Sequence, residues 1–275
     1  MGLGDDADFV RLHLLDSEPP GCTLPEGGCV PEHVNDLCKP YVDETRQYKS
    51  LHFEPSEFQS RMSKREPTRL VLDYTRTMMG FLLFNARPER IGMVGLGGGS
   101  LAKFCFRELP QSRIDVVEIN PHVLALRDAF MVPADGERFR IHLDDGACFI
   151  ARSPRRFDVL LVDAYTRQGL PSRLASQEFY DQCRDALSED GVMVVNLYCG
   201  SDDVQVERIR RSFAGDAFSI REEDGTNRVA FACAGDVIRR RRFLRPNLAS
   251  HLSPAAWSQL KPAFARIAGA MRREL

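Results

Sequence analysis

Four short stretches hold residue types that could do chemistry together. The first is Met93-Val94-Gly95-Leu96-Gly97-Gly98-Gly99-Ser100. Glycines there permit a sharp turn and let backbone approach a ligand closely. A helix opening after them presents unpaired N–H groups and partial positive charge. The second is Glu118, about 20 residues further on, where an acid at a strand tip accepts hydrogen bonds from ribose hydroxyls. The third is Leu143-Asp144-Asp145-Gly146-Ala147. Asp145 can accept from an adenine exocyclic amine, and backbone groups of Gly146 and Ala147 can reach the ring nitrogens. The fourth is Asp163, which closes an apolar run. The glycine stretch is not the dinucleotide pattern G-x-G-x-x-G, because Ser100 stands where the third glycine belongs, and it lacks the lysine of a P-loop. An adenosine-type ligand without pyrophosphate fits better.

These residues need elements to position them. Apolar runs at 91–94, 114–117, 140–143, 157–162 and 191–197 read as strands. Helical segments are expected at 100–109, 121–130, 147–152, 176–187 and 203–213. Strands at 217–221 and 228–234, joined by Asp224-Gly225, read as a closing hairpin. The alternation specifies an α/β, Rossmann-like fold. Its sheet has seven strands, mostly parallel, closed by an antiparallel hairpin. Gly95, Glu118, Asp145 and Asp163 then all lie at the carboxyl ends of strands, where open α/β sheets bind ligands.

Upstream, 68–84 carries apolar residues at helical spacing and is expected to be one largely buried helix. Residues 1–40 are rich in Pro, Gly and acid and are expected to be irregular or partly disordered, and 41–62 suits a small hairpin or meander. Ser253-Pro254 begins an amphipathic helix, with Trp257, Leu260, Phe264, Ile267 and Met271 on the face that docks on the body or a partner. The expected division is 1–65 for the N-terminal segment, 66–235 for the nucleotide-binding domain and 236–275 for the tail.

Composition narrows the function. The chain has 275 residues, 43% hydrophobic and 28% charged, with a net charge of −2. That is ordinary globular material with no global field to recruit nucleic acid or anionic membrane. The uncharged, largely apolar stretch 77–86 is far short of the roughly 20 apolar residues of a spanning helix. No signal sequence is read, and none of the eight cysteines forms a C-x-x-C pair, so a reduced, cytoplasmic protein is expected. Cys22, Cys29 and Cys38 are read as loop thiols, Arg239 to Arg242 as a solvated stretch, and the scattered histidines suggest no metal.

From about Arg90 to Tyr198 the sequence resembles the spermidine synthase-like proteins, and the resemblance implies the class I methyltransferase fold for this sheet. The resembling pieces are residues 94–101, Val116-Val117-Glu118-Ile119-Asn120-Pro121, residues 144–147, residues 157–163, and Glu178-Phe179-Tyr180 with the late hairpin. Gln59 and Tyr74 match further positions. The resemblance implies transfer of an aminopropyl group from decarboxylated S-adenosylmethionine to a small amine acceptor. It gives Asp163 the catalytic role of orienting the amine and taking its proton, Glu118 the ribose, Asp145 the adenine, and Gln59 a place in the donor site. Tyr74, with Tyr165 and Thr166 at the start of the next loop, falls on the acceptor side. A homodimer is implied as well. Departures matter. An acid expected within the glycine loop is missing, Asp163-Ala164-Tyr165-Thr166 ends without the family's second Asp, and Tyr74 is followed by Thr75 and Arg76 rather than His-Glu. A divergent polyamine site and poor use of putrescine are the expectation. A methyltransferase using intact S-adenosylmethionine is the alternative reading, and a non-catalytic nucleotide-binding dimer module is the third.

Overall fold

Apolar strands buried on both faces need helices on both faces, and the chain provides them. A computed structural model describes residues 10–12, 37–54, 58–166, 169–198, 202–240 and 252–274. The readings of Cys22, Cys29, Arg241 and Arg242 fall outside these residues.

The main sheet contains β5 (Arg90–Val94), β6 (Arg113–Glu118), β7 (Phe139–Leu143), β8 (Phe157–Val162), β9 (Leu187–Tyr198), β10 (Ala217–Arg221) and β11 (Asn227–Cys233). Its order is β10-β11-β9-β8-β5-β6-β7. The first five of these strands in the chain run parallel, and β11 pairs antiparallel with both β9 and β10. The chain moves outward from β5 through β6 to β7, then returns to lay β8 on the other side of β5. A crevice opens at such a reversal, outside the carboxyl ends of the strands. Alternate residues feed two cores. Ile91, Val159 and Leu161 pack on one face, and Val94, Leu160 and Val162 on the other.

The helices α2 (Ser100–Glu108), α4 (Gly146–Ala151), α5 (Gln177–Ala186) and α6 (Asp202–Ser212) lie near their expected positions. The helix expected at 121–130 is α only over α3 (Pro121–Leu124) and continues in tighter i→i+3 bonds, such as Leu126 N–H to the Val123 carbonyl. The single helix expected at 68–84 is also shorter. Here α1 spans Asp73–Met78 and passes into a 3-10 turn at Met79–Leu83. The residues before it are committed elsewhere. The Arg76 guanidinium donates to the Leu70 carbonyl at 2.8 Å, and Leu70 N–H donates to Gln259 at 3.1 Å. The 3-10 turn lets Gly80 press against Ile267 and Phe231, where a Cβ would lie 2.4 Å and 2.9 Å from their side chains.

A second, four-stranded antiparallel sheet is built from β1 (Val10–Leu12), β2 (Tyr41–Glu44), β3 (Tyr48–His52) and β4 (Ser60–Ser63), in that order. The meander matches the reading of 41–62. The strand at Val10–Leu12 corrects the expectation of irregular structure there, three residues being too few to show alternation. A short helix α7 (Val237–Arg240) precedes the long α8 (Pro254–Glu274). Leu260, Phe264, Ile267 and Met271 of α8 join the main core, so the chain itself covers that apolar face. No helix among the described residues is long and apolar enough to cross a membrane.

Behind the glycine turn, Lys103 of α2 is only 2% exposed and donates to the Phe130 carbonyl at 2.7 Å. This bond ties α2 to the segment after α3. Burial pulls the Lys103 ammonium down to about 7. In the unfolded chain lysine keeps its proton to about 10.4. Between those values the unfolded state holds a proton that the fold does not, so this group makes stability rise with pH. Lys103→Met is expected to gain most on the wild type below pH 7, with the gain shrinking toward pH 10. Urea unfolding of both proteins at pH 6, 7.5 and 9 measures it.

Candidate active site

The turn after β5 sets the geometry. Gly95 has φ +96°, and its N–H donates to the Val117 carbonyl at 2.8 Å. A Cβ on Gly95 would lie 2.2 Å from the Asp163 carbonyl oxygen, so only glycine lets the β5 and β8 ends meet. Asp163 N–H in turn donates to the Val94 carbonyl at 2.9 Å. Gly97 (φ +51°) faces open space, with Ser60 Cβ 3.7 Å from where its own Cβ would be. Gly98 and Gly99 do different work. A Cβ on Gly98 would meet Ser60 and Phe130, and one on Gly99 would meet Val132, so these two pack against the small sheet and the loop after α3.

Glu118 ends β6 and is 8% exposed. Its Oε2 accepts from Leu96 N–H at 2.9 Å, and Oε1 from Asn120 N–H at 2.8 Å. Burial raises its pKa, and the backbone donors oppose the shift. Ile119 and Gly97 N–H groups act on the same carboxylate, so a ligand hydroxyl would share its lone pairs with backbone donors. Asp145 caps α4, its Oδ1 accepting from Cys148 N–H at 2.9 Å. Its Oδ2 pairs with Arg173 at 3.1 Å, so an incoming amine would share or displace a largely exposed guanidinium. Ala147 is buried behind this turn.

A cavity of about 1100 Å³ runs along this edge of the sheet. Gln59, Tyr74, Gly95, Gly97, Glu118, Asp145, Gly146, Asp163, Tyr165 and Thr166 line it, whereas Gly98, Gly99 and Ala147 do not. Asp163 lies midway along the strand order. Tyr74 Oη donates to Asp163 Oδ2 at 3.1 Å, and Asn196 Nδ2 donates to Oδ1 at 2.9 Å. Burial raises the Asp163 pKa, against the effect of these two donors. The Tyr74 hydroxyl is pushed well above its usual value by burial and by the adjacent carboxylate, so it remains a donor. Tyr165 and Thr166 are engaged within the protein. Tyr165 Oη donates to the Asn196 carbonyl at 2.9 Å and accepts from Tyr198 N–H at 2.6 Å. Thr166 exchanges two backbone hydrogen bonds with Gly169, each 3.0 Å, pinning the loop mouth.

Several lining residues were not singled out from the sequence. Asn196 lies inside an apolar strand, and Asn227 donates to its Oδ1 at 2.9 Å. The hairpin also brings Glu222 and Asp224 to the cavity, and α1 brings Asp73. The pair Glu222-Glu223 before Asp224-Gly225 resembled turn chemistry. A hairpin folding back over a strand end was the signal that could have marked it. The three absent acids of the family pattern therefore do not leave this end of the cavity without carboxylates.

Comparison with known proteins agrees with this architecture. The spermine/spermidine synthase domain matches residues 72–205. A polyamine aminopropyltransferase of Neisseria meningitidis serogroup A is 38% identical over 195 residues, covering 70% of this chain and 74% of the relative. A spermidine synthase structure in complex with the transition-state analogue AdoDATO superposes with a TM-score of 0.58 at 20% identity, covering 81% of this chain and 85% of that one. Human methyltransferase-like protein 13 in complex with SAH superposes with a TM-score of 0.54 at 24% identity, covering 72% and 93%. At these identities the two structures speak for the fold.

The two cavity-facing glycines make different predictions. Gly95→Ala forces a Cβ onto backbone and is expected to cost about 2–4 kcal/mol. Gly97→Ala has room and should cost about 1 kcal/mol, the strain of a left-handed alanine. Equilibrium urea unfolding separates the two. Equal losses would contradict the close approach at Gly95.

Proposed function

This chain belongs to the spermine/spermidine synthase family of polyamine aminopropyltransferases, and on that premise we propose how its cavity divides the work. It is a transferase, and the donor is decarboxylated S-adenosylmethionine. The donor half lies over β5, β6 and β7. Glu118 holds the ribose hydroxyls, Asp145 and the Gly146 backbone take the adenine, Gly97 gives room beside the sulfonium, and Gln59 closes the wall. The acceptor half extends from Asp163 across β9 to the hairpin, and the acceptor is a small amine.

The observation that carries this reading is the hydrogen-bonded Asp163. Tyr74 and Asn196 fix one lone pair on each carboxylate oxygen and leave others toward the cavity. A neutral amine accepting this orientation attacks the methylene next to sulfur. The N–C bond forms, the C–S bond breaks, and the bonding pair leaves on sulfur as neutral methylthioadenosine. The product nitrogen then gives up a proton to Asp163, whose raised pKa makes it a better base than an exposed carboxylate. A sulfonium is already a good leaving group, so orientation supplies most of the catalysis. Methyl transfer from intact S-adenosylmethionine is the competing chemistry, favoured by the lack of an acid within residues 95–100. The same proposal puts the reaction in the cytoplasm, supported by the free thiols Cys105 and Cys183 buried in the cores.

Rate assays with either donor and a set of amines test the assignment. With the decarboxylated donor, Asp163→Asn should lower kcat about 100- to 1000-fold. Tyr74→Phe should lower it less. Protonated Asp163 cannot accept, and a protonated amine cannot attack, so the rate must fall as pH falls. The Asp163 limb should lie above the ordinary aspartate range and vanish in Asp163→Asn. Product formation from intact S-adenosylmethionine alone would replace this assignment with methyl transfer.

A further inference from the structure

Among the described residues lining the cavity, Arg173 is the one cation. It stands against Asp73, Glu118, Asp145, Asp163, Glu222 and Asp224. The reacting groups of the proposed ligands are themselves cationic or become so, and a guanidinium beside them would only repel them. Its position shows that it serves another part of the ligand. Arg173 Nη1 lies 3.1 Å from Asp145 Oδ2, and Nη2 donates to Cys148 Sγ at 3.5 Å. Arg173 is thus placed at the base end of the donor half.

The backbone beneath Arg173 is fixed, and its head reaches solvent. Leu174 is 7% exposed, and its Cδ2 lies 3.6 Å from where a Cβ on Gly146 would be. The Ala175 carbonyl accepts from Arg208 Nη1 at 2.5 Å. The Arg173 side chain is 59% exposed and that of Asp145 only 10%. The carboxylate is held from below by Cys148 N–H, at 2.9 Å from Oδ1. The guanidinium can therefore change rotamer beside a stationary Asp145 without moving the loop.

A carboxylate only accepts, and a guanidinium only donates. Adenine offers an exocyclic amine donor next to a ring nitrogen acceptor. Hypoxanthine offers the reverse, an exocyclic carbonyl acceptor next to a ring N–H donor. Asp145 alone would read the adenine amine and reject the hypoxanthine carbonyl, because two acceptors would then face each other. Asp145 with Arg173 can take either base. Adenine donates its amine to Oδ2 and displaces the guanidinium. Hypoxanthine donates its ring N–H to Asp145 and accepts from Arg173 at the carbonyl. Arginine donating to a purine carbonyl is the commonest specific contact to guanine, which carries the same carbonyl and ring N–H.

We propose that Arg173 is a specificity-determining residue that opens the donor site to nucleosides of hypoxanthine as well as of adenine. The assignment rests on the S-adenosyl reading above and goes beyond it in the base that the site accepts.

The test is isothermal titration with methylthioadenosine and methylthioinosine, on the wild type and on Arg173→Ala. The two nucleosides differ only at the base edge that Asp145 and Arg173 face. The wild type should bind them with Kd values within about tenfold of each other. In Arg173→Ala methylthioinosine should weaken by about 10- to 100-fold, the range of a charge-assisted hydrogen bond. Methylthioadenosine should tighten in the same variant, since the guanidinium no longer competes for Oδ2. A general structural effect of the substitution would move both nucleosides together and leave the ratio of their Kd values unchanged. An unchanged ratio, or wild-type binding of methylthioadenosine alone, would overturn the role of Arg173 and leave the S-adenosyl reading standing. Wild-type binding of neither nucleoside would discard that reading and this inference with it. If Arg173→Ala does not fold, the wild type decides alone, since failure to bind methylthioinosine contradicts the inference.

Discussion

The contact between Gly95 and the Asp163 carbonyl governs the geometry of the whole site. Two parallel strands that are not consecutive in the chain end side by side, and their following turns must pass each other. A glycine at φ +96° makes this passage sterically allowed. The turn then aims the Leu96 N–H at Glu118, and the other strand end aims Asp163 into the crevice. A side chain at Gly95 would separate the glycine turn from the end of β8 that carries Asp163. The two halves of the cavity thus share one backbone contact.

From that contact the cavity is organised by the strand order. Moving toward β6 and β7, the strand ends present Glu118 and Asp145, each held by backbone N–H groups. Moving toward β9 and β11, they present Asn196 and Asn227, which pass hydrogen bonds from Asp163 to the hairpin. Burial raises the pKa of Glu118 and Asp163 alike, but their partners differ. Main-chain donors hold Glu118. Side-chain donors hold Asp163 and only partly offset the rise that burial causes. On the proposed assignment, one buried carboxylate serves binding and the other proton transfer.

Much of this was legible in the sequence, for physical reasons. Buried parallel strands have to be nearly continuous in apolar residues, so 157–162 and 191–197 stood out, and an acid or glycine just past such a run has to fall on the ligand edge. The glycine turn, Glu118, Asp145 and Asp163 follow from that rule. Other features depend on contacts that no local pattern encodes. Arg76 and Gln259 capture the backbone at 70–71 and delay the start of α1. Asn196 reads as one polar residue in a buried strand until Asp163 is placed beside it. Glu222 reads as part of a turn until the hairpin folds over the cavity. Gly98, Gly99 and Ala147, grouped with the ligand residues because of their neighbours, face the protein interior instead. The Asp145–Arg173 pair joins two loops that are distant in the chain, so nothing local announces it.

The central claim is that this edge of the sheet is an S-adenosyl site whose ribose hydroxyls bind Glu118. Isothermal titration with methylthioadenosine, S-adenosylhomocysteine and the intact and decarboxylated donors, on the wild type and Glu118→Gln, tests it most directly. The account predicts tightest binding of methylthioadenosine and the decarboxylated donor, with at least a tenfold loss in Glu118→Gln, as expected for removing a charged hydrogen-bond acceptor. Binding of none of the four, or binding indifferent to Glu118, would contradict it.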